Sequence, residues 1–222
     1  MAALSAIEFR ATDADDKNSR VDVRAVLSVD IDDLPIVVRM SREFDDEKFE
    51  RFSRAHEPLR MEMLPNGDIR IMTPVGCDVA RLNAHLTAVL GIWNEARGDG
   101  VVFASNVGFR MPDNSILSPD ASWMSQAKHD SIPLDMRHKF ARVCPEFIIE
   151  LRSESDRLPA LQRKMEKWLD NGVQLAWLID PKKKQAIIYS PGKPPRTLQA
   201  PAELKGEKPV ESFVLPMHEF WA

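Results

Sequence analysis

The stretch from residue 146 to residue 180 constrains the fold of this chain more than any other segment. It begins with the apolar run Phe147–Ile149, continues with a helical pattern from about Leu158 to Asn171, and ends with a second apolar run, Leu175–Asp180. Short apolar runs of this kind are typical of strands that are buried on both faces of a sheet. A strand, a helix and a strand in this order need a crossover connection, so the two strands are predicted to be parallel neighbours.

Hairpins predicted on both sides of this stretch make the sheet mixed. Two short β-like segments flank Asn66-Gly67, a dipeptide that favours a tight turn. Further along, Pro181 begins a lysine-containing turn into the strand Gln185–Tyr189. Residues 78–97 form an amphipathic helix, because their apolar positions recur every three or four residues. The sequence therefore predicts an α/β (α+β) fold in which helices flank a mixed central sheet.

Length and composition favour one domain. The chain has 222 residues, of which 44% are apolar and 29% are charged, as in ordinary globular proteins. Residues 1–24 alternate short polar and acidic pieces and are predicted to be a flexible N-terminal segment. Residues 25–222 are predicted to form a single domain.

Charge and cysteine content exclude several classes of protein. The formal net charge is −4, so no overall basic field favours tight non-specific binding of nucleic acid. Cys77 and Cys144 have no spacing that suits a disulfide framework or a zinc site. No apolar run approaches the roughly 20 residues of a membrane helix, and the start lacks the pattern of a signal peptide. We therefore expect a cytoplasmic protein without membrane contacts.

Two carboxylates lie where apolar runs meet polar residues. Asp120 follows Ser118-Pro119 at the start of a strand predicted to reach Met124, and Glu150 closes the run that begins at Phe147. Two carboxylates about 4 Å apart repel each other by roughly 4 kcal/mol at an effective dielectric near 20. A Mg²⁺ ion relieves this repulsion, because it is a hard cation that prefers oxygen ligands. Lys164, on the following helix, would orient a water or neutralise developing charge beside such an ion.

Each of these residues also has a simpler interpretation. Asp120 follows a proline and is equally typical of a turn. Glu150 would cost several kcal/mol if it were buried unpaired, which indicates either a metal or an ion pair with Arg152 or Arg163. Lys164 has basic neighbours and would also suit a solvated helix surface.

The same residues belong to a series of motifs that resembles the Uma-type family of restriction-endonuclease-like proteins, in the PD-(D/E)XK nuclease superfamily. The resemblance extends from about Leu34 to the C-terminus, and its most specific parts are residues 118–120, 144–153, 162–165 and 171–181. It implies a sheet flanked by helices and hydrolysis of phosphodiester bonds in DNA. It also implies dependence on Mg²⁺, with Mn²⁺ as a substitute.

The resemblance assigns roles to three residues and shows one departure. Asp120 matches the first acid of the superfamily motif and Glu150 the second, so both are expected to bind the metal. The lysine that usually follows the second acid by two residues is absent, because Arg152 stands there. Lys164 matches a family lysine on the next helix and is expected to be the catalytic cation.

Further positions are similar to the family or depart from it. Gln162 precedes the helix lysine as in related sequences, and Glu62 matches a glutamate that would add to the metal site. Val79 stands where many relatives have histidine, Glu154 where many have proline, and Trp168 where tyrosine is common. These departures concern the surroundings of the site and leave its three central residues intact.

Three functions stay open at this point. The first is a Mg²⁺-dependent endonuclease, which would fit a homodimer because enzymes that cut both strands commonly act in pairs. The second is a non-catalytic module that uses a nuclease scaffold to bind nucleic acid or a protein. Arg152 and the lack of overall basic charge favour this second reading. The third is a phosphohydrolase that acts on small phosphoesters.

Overall fold

The computed structural model of the protein describes residues 9–11, 21–23, 36–38, 46–56, 60–72, 75–154 and 156–221. Within these ranges the α-helices are Asp46–Ala55 (α1), Cys77–Arg97 (α2), Gln126–Asp130 (α3) and Leu158–Asp170 (α4). Short 3-10 helices span Leu134–Met136, Pro181–Lys183 and His218–Phe220. In the described ranges, no helix combines the length and apolar character that crossing a membrane requires.

The β-strands of the described residues are short and distributed along the whole chain. They are Phe9–Ala11 (β1), Val21–Val23 (β2), Ile36–Val38 (β3), Arg60–Met63 (β4), Ile69–Met72 (β5), Gly100–Ala104 (β6), Phe109–Arg110 (β7), Ile116–Leu117 (β8), Ala121–Ser125 (β9), Phe147–Leu151 (β10), Leu175–Asp180 (β11), Gln185–Tyr189 (β12), Arg196–Gln199 (β13), Glu203–Lys205 (β14) and Val214–Pro216 (β15).

The chain divides into two units. The smaller unit holds residues 1–74 and 113–117, and the larger unit holds residues 75–112 and 118–222. Most of the predicted flexible segment, residues 1–24, lies outside the described residues; strands β1 and β2 within it pair with each other in antiparallel fashion. The flexible segment and the single domain from residue 25 stay predictions.

The smaller unit contains the predicted hairpin around Asn66-Gly67. Strands β3, β5, β4 and β8 pair in that order, and each pair is antiparallel. The Leu64 N–H donates to Asp68 O at 2.8 Å, and Gly67 has a φ of 82°. The loop therefore has three residues, with glycine in the left-handed position that such loops need. The hairpin prediction is confirmed, with one more loop residue than a minimal turn. Its expected place in the central mixed sheet is wrong, because β4 and β5 pair in a separate sheet.

A six-stranded mixed sheet forms the centre of the larger unit. The strand order is β13-β12-β11-β10-β9-β6, and β10 pairs with β11 in parallel while every other pair is antiparallel. Helix α4 connects the two parallel strands, as the apolar runs and the helical pattern between them predicted. The predicted fold class is confirmed.

The two faces of this sheet pack against different helices. On one face, Leu86 and Leu90 of α2 join a buried core with Ile149 of β10 and Trp177 of β11. Successive strand residues point to opposite faces, so Glu150 points away from this core. Its side chain meets α4, which covers the other face. The topology thus places Glu150 beneath α4, the helix that carries Lys164.

A close approach at Gly100 fixes how β6 lies beside β9. A Cβ at this position would overlap the Trp123 indole and lie 2.6 Å from Met124 O. Gly91, in the interior of α2, has no heavy atom within 4 Å of the corresponding point.

We predict that Gly100→Ala lowers the free energy of unfolding by about 1–3 kcal/mol, because backbone has to move. Gly91→Ala is the matched control and is expected to raise it by about 0.5–1 kcal/mol, as alanine replaces glycine inside a helix. Urea unfolding followed by circular dichroism measures both. Equal midpoints for the two variants would contradict the close packing at residue 100.

The two cysteines are free thiols in different surroundings. Cys77 is exposed, whereas burial raises the pKa of Cys144 to about 12, against the lowering effect of Lys128.

At pH 8, a thiol with this pKa is ionised in roughly one molecule in 10⁴, and the thiolate is the reactive form. We predict that one equivalent of thiol reacts quickly with a disulfide reagent at pH 8, and that mass spectrometry locates it at Cys77. Cys144 should react only at higher pH or after unfolding. Equal modification of both thiols in folded protein would show that Cys144 is accessible and ionised.

Candidate metal and catalytic site

The two predicted acids meet where β9 pairs with β10. Ala121 lies opposite Ile149 in this antiparallel pair, so the preceding and following residues, Asp120 and Glu150, also lie side by side. The Asp120 N–H donates to Ile149 O at 3.1 Å, and Asp120 Oδ2 accepts from the Leu151 N–H at 2.8 Å. These two bonds lie on either side of Glu150, so they hold the Asp120 carboxylate next to it. The strand that was predicted to include Asp120 starts at Ala121 instead. At residue 120 the side-chain carboxylate, and not the backbone carbonyl, accepts the Leu151 N–H.

Lys164 completes this group from α4. Its Nζ lies 2.9 Å from Glu150 Oε1 and donates to Ser118 O at 3.0 Å. Ser118 is two residues before Asp120, so the ammonium group contacts both of the segments that carry the acids. Glu150 and Lys164 are both buried. The structure therefore brings the three central predicted residues together.

A second side chain of α4 also holds Glu150. The Trp168 Nε1–H donates to Glu150 Oε1 at 2.9 Å. Lys164 and Trp168 are four residues apart, which places them one above the other on the same face of the helix. One oxygen of Glu150 thus receives a charged and a neutral donor, and these compensate for taking the carboxylate out of water. The ion pair expected for Glu150 forms with Lys164 rather than with Arg152 or Arg163.

Asp120 receives one further hydrogen bond that sequence reasoning missed. Asn83 Nδ2, on α2, donates to Asp120 Oδ1 at 3.2 Å. The signal in the sequence is the position of Asn83, which falls on the apolar face of α2 with Val79, Leu86 and Leu90. A polar residue on such a face usually has a specific partner.

Arg152, which stands where the superfamily motif has lysine, belongs to a different ion pair. Its Nη1 lies 2.7 Å from Asp180 Oδ2, and its Nε donates to Asp156 O at 3.1 Å. Asp180 is fully buried and also accepts from the Lys183 N–H at 3.2 Å. The guanidinium therefore joins the end of β10 to the end of β11. Its expected contribution to the site stays a prediction.

Gln162 lies on α4, six residues before Trp168, and its side chain is close to Tyr189 of β12. Burial and the Glu166 carboxylate together raise the pKa of Tyr189 to about 12, and the Gln162 side chain acts in the opposite direction. This contact links α4 to the sheet. A role of Gln162 in the site stays a prediction.

Glu62 lies in the smaller unit, on β4. It is fully buried, and its Oε2 lies 3.2 Å from Nη1 of Arg70, which is directly opposite on β5. Its expected addition to the metal site stays a prediction.

Comparison with known proteins places the chain in a family. The profile of the Uma2 family, described as "Putative restriction endonuclease", matches residues 46–218. The chain belongs to the Uma2 family. The resemblance seen in its motifs is confirmed, and the family supports a nuclease-like function. A comparison with curated protein sequences gave no match.

Solved structures support the fold of this Uma2 chain. It is similar to a crystal structure from Anabaena variabilis ATCC 29413, described as a "putative nuclease belonging to DUF820". The TM-score is 0.62 with 19% sequence identity, over 75% of this chain and 91% of that chain. At this identity the likeness shows the fold alone.

The oxygen atoms of this Uma2 site suit a small divalent cation. Asp120 and Glu150 supply carboxylate oxygens at this site, and among the described residues no group of three or more His, Cys, Asp or Glu side chains is found. Mg²⁺ is commonly held by one or two carboxylates, with waters and substrate phosphates as its other ligands. Asn83 Oδ1 is buried beside Asp120 and accepts no hydrogen bond from the described part of the chain. The donor set therefore fits the cation that the resemblance implies.

We predict strong coupling between Lys164 and Glu150. Lys164→Met or Glu150→Gln alone leaves one buried charge without its partner and should cost about 3–5 kcal/mol of stability. The double variant should cost clearly less than the sum of the two. Thermal unfolding in EDTA measures this cycle, with Arg163→Met as the control, because Arg163 is the exposed neighbour on the same helix. Additive losses would mean that the two groups do not interact.

Proposed function

We propose that the protein is a Mg²⁺-dependent endonuclease that hydrolyses phosphodiester bonds in DNA. Asp120 and Glu150 bind the metal, and Lys164 is the cationic catalytic group. One observation carries the proposal: Lys164 Nζ contacts Glu150 at 2.9 Å where two hydrogen bonds hold the Asp120 carboxylate beside it. Two acids can hold a metal that polarises a phosphate, and a lysine beside them can stabilise the charge that develops on it.

The chain's own residues supply position and charge. Both oxygens of Asp120 have fixed donors, Asn83 on Oδ1 and Leu151 on Oδ2, so the plane of the carboxylate is set. The contacts of Lys164 and Trp168 with Glu150 both fall on Oε1, so α4 fixes the position of this carboxylate. A bound Mg²⁺ would polarise the scissile phosphate and lower the pKa of a coordinated water.

Lys164 contributes a positive charge that is already desolvated. Electrostatic stabilisation is stronger in such surroundings than in water, because the local dielectric is lower. The ammonium balances Glu150 in the free protein. With a phosphodiester at the site, the same ammonium would stabilise the negative charge that grows on the phosphate oxygens in the transition state.

DNA is the substrate that the family description favours, and the local charge agrees with it. The net charge of −4 gives no general attraction for nucleic acid, so local basic residues have to contact the phosphates. Lys182, Lys183 and Lys184 are exposed at the end of β11. The β10–β11 register pairs Leu151 with Ile179, so these lysines lie at the same end of the sheet as Glu150. They are suitably placed to contact a nucleic-acid backbone that approaches the site.

The alternative is a non-catalytic binding module on a nuclease scaffold. The observation that favours it is the completeness of the Glu150–Lys164 pair, which balances its own charge without a cation. Arg152 also favours this alternative, because it stands where the superfamily motif has lysine and its side chain is paired with Asp180. Calorimetry with Mn²⁺ separates the two functions: the nuclease binds Mn²⁺ and loses it with Glu150→Gln, whereas the module binds none.

We predict that the purified protein cleaves plasmid DNA with Mg²⁺ or Mn²⁺ and is inactive in EDTA. Asp120→Asn should abolish cleavage by removing a ligand charge, and Lys164→Met should lower the rate about 10²–10³-fold, as loss of one electrostatic group does. Gel electrophoresis of nicked and linear plasmid gives the rates.

Asp170→Asn and Arg163→Met are the matched controls, since both remove an exposed charge from α4 and should leave the rate unchanged. Circular dichroism checks that each variant is folded. Cleavage that survives in folded Asp120→Asn would count against the assigned site, and cleavage that no metal supports would count against the nuclease.

A further inference from the structure

We infer that Asn83 is a positioning residue of the cation site. It holds Asp120 through its amide nitrogen and interacts with the hydration shell of the cation through its amide oxygen. The inference rests on the proposed function and adds a residue from a third element, helix α2, to the acids of the sheet and the lysine of α4.

The first observation is the contact itself. Asn83 Nδ2 donates to Asp120 Oδ1 at 3.2 Å, while the Leu151 N–H donates to Oδ2 at 2.8 Å. Each carboxylate oxygen carries two lone pairs, so an oxygen that accepts one hydrogen bond can also coordinate a metal. Two donors from different elements hold the carboxylate in one orientation before any cation binds, which reduces the ordering cost of binding.

The second observation is the amide oxygen on the other side of the same group. Asn83 Oδ1 is buried and has no hydrogen-bond partner in the described part of the chain. A buried polar atom without a partner is unfavourable, because it has lost its hydrogen bonds to water without a replacement. Mg²⁺ retains several of its waters when it binds to protein, and a metal-bound water is a strong donor. Such a water would donate a hydrogen bond to Asn83 Oδ1. The amide oxygen and the amide nitrogen therefore suit the same role, which is to support the cation site.

The third observation is the place of Asn83 in its helix. Val79, Leu86 and Leu90 share its face, and Leu86 and Leu90 are fully buried in the core of the larger unit. An apolar residue at position 83 would extend this packing without leaving a polar atom unsatisfied. The asparagine that stands there instead contacts Asp120.

The experiment measures binding of Mn²⁺ to the full chain by calorimetry, without nucleic acid and independently of cleavage. Asn83→Leu keeps the size of the side chain and removes both the donor and the acceptor. Loss of a partner that orients a metal ligand typically costs about 10–100-fold in affinity. We therefore expect Asn83→Leu to bind Mn²⁺ at least about tenfold more weakly than the unchanged protein.

Thr87→Val is the matched control on the same helix. The Thr87 hydroxyl donates to the backbone carbonyl of Asn83 at 3.0 Å, so this variant removes a bond to residue 83 without touching its amide. It should bind Mn²⁺ as tightly as the unchanged protein.

Asn83→Asp gives a result that a purely structural role would not produce. It replaces the donor by a carboxylate facing Asp120, and like charges at this separation repel. Its melting temperature in EDTA should therefore fall below that of the unchanged protein. Saturating Mn²⁺ should raise it by more than it raises the unchanged protein, because the ion relieves the repulsion.

The outcomes separate this inference from the proposed function. If the unchanged protein binds no Mn²⁺, the metal site and the role of Asn83 both fall. If it binds Mn²⁺ in an Asp120-dependent manner but Asn83→Leu binds equally well, the role of Asn83 is wrong and the nuclease proposal stands. Weaker binding by Asn83→Leu, together with Mn²⁺-dependent recovery of Asn83→Asp, supports the inference.

Discussion

The buried contact between Lys164 and Glu150 is the interaction on which the rest of the site depends. It joins α4 to β10, an inner strand of the sheet, at 2.9 Å, where neither charge has ready access to water. Separated, each ion would be stable only with another partner or with a changed protonation state. Trp168 and Ser118 complete the arrangement by contacting the carboxylate and the ammonium, respectively. If the proposed function is correct, the same pair of charges serves both the stability of the fold and the chemistry.

Topology explains why residues so distant along the chain meet at this point. Strands β10 and β11 are parallel neighbours, so the chain between them has to cross the sheet, and α4 is that crossing. The crossing lays the face of α4 that carries Lys164 over the side of β10 that carries Glu150. On the other edge of β10, the antiparallel partner β9 begins immediately after Asp120. Three elements of the larger unit therefore converge through ordinary sheet geometry, without a specialised loop.

Much of the fold was predictable from the sequence, because burial imposes periods that the residues display. The apolar runs 147–149 and 175–180 and the helical pattern between them specified the parallel pair, and the repeat of α2 specified its buried face. The association of Asp120, Glu150 and Lys164 followed from their order and from the family resemblance. Their catalytic roles stay predictions.

The partners of these residues could not be predicted in the same way. Periodicity indicates which face a side chain occupies, but long side chains such as Arg152 can turn toward any charge within reach. Arg152 is two residues after Glu150 and pairs with Asp180, because the register brings the ends of β10 and β11 together. The contact of Asn83 with Asp120 was not predicted, because apolar periodicity identifies the buried face of α2 but gives no partner for a polar residue on that face. Such contacts depend on tertiary geometry that a local pattern does not encode.

The most direct test of this account is the location of a metal in a crystal soaked with Mn²⁺, found by anomalous diffraction. The account predicts one strong anomalous peak at coordination distance from oxygens of both Asp120 and Glu150, with Lys164 still in contact with Glu150. A peak elsewhere on the molecule, or none at a Mn²⁺ concentration that supports cleavage, would contradict it.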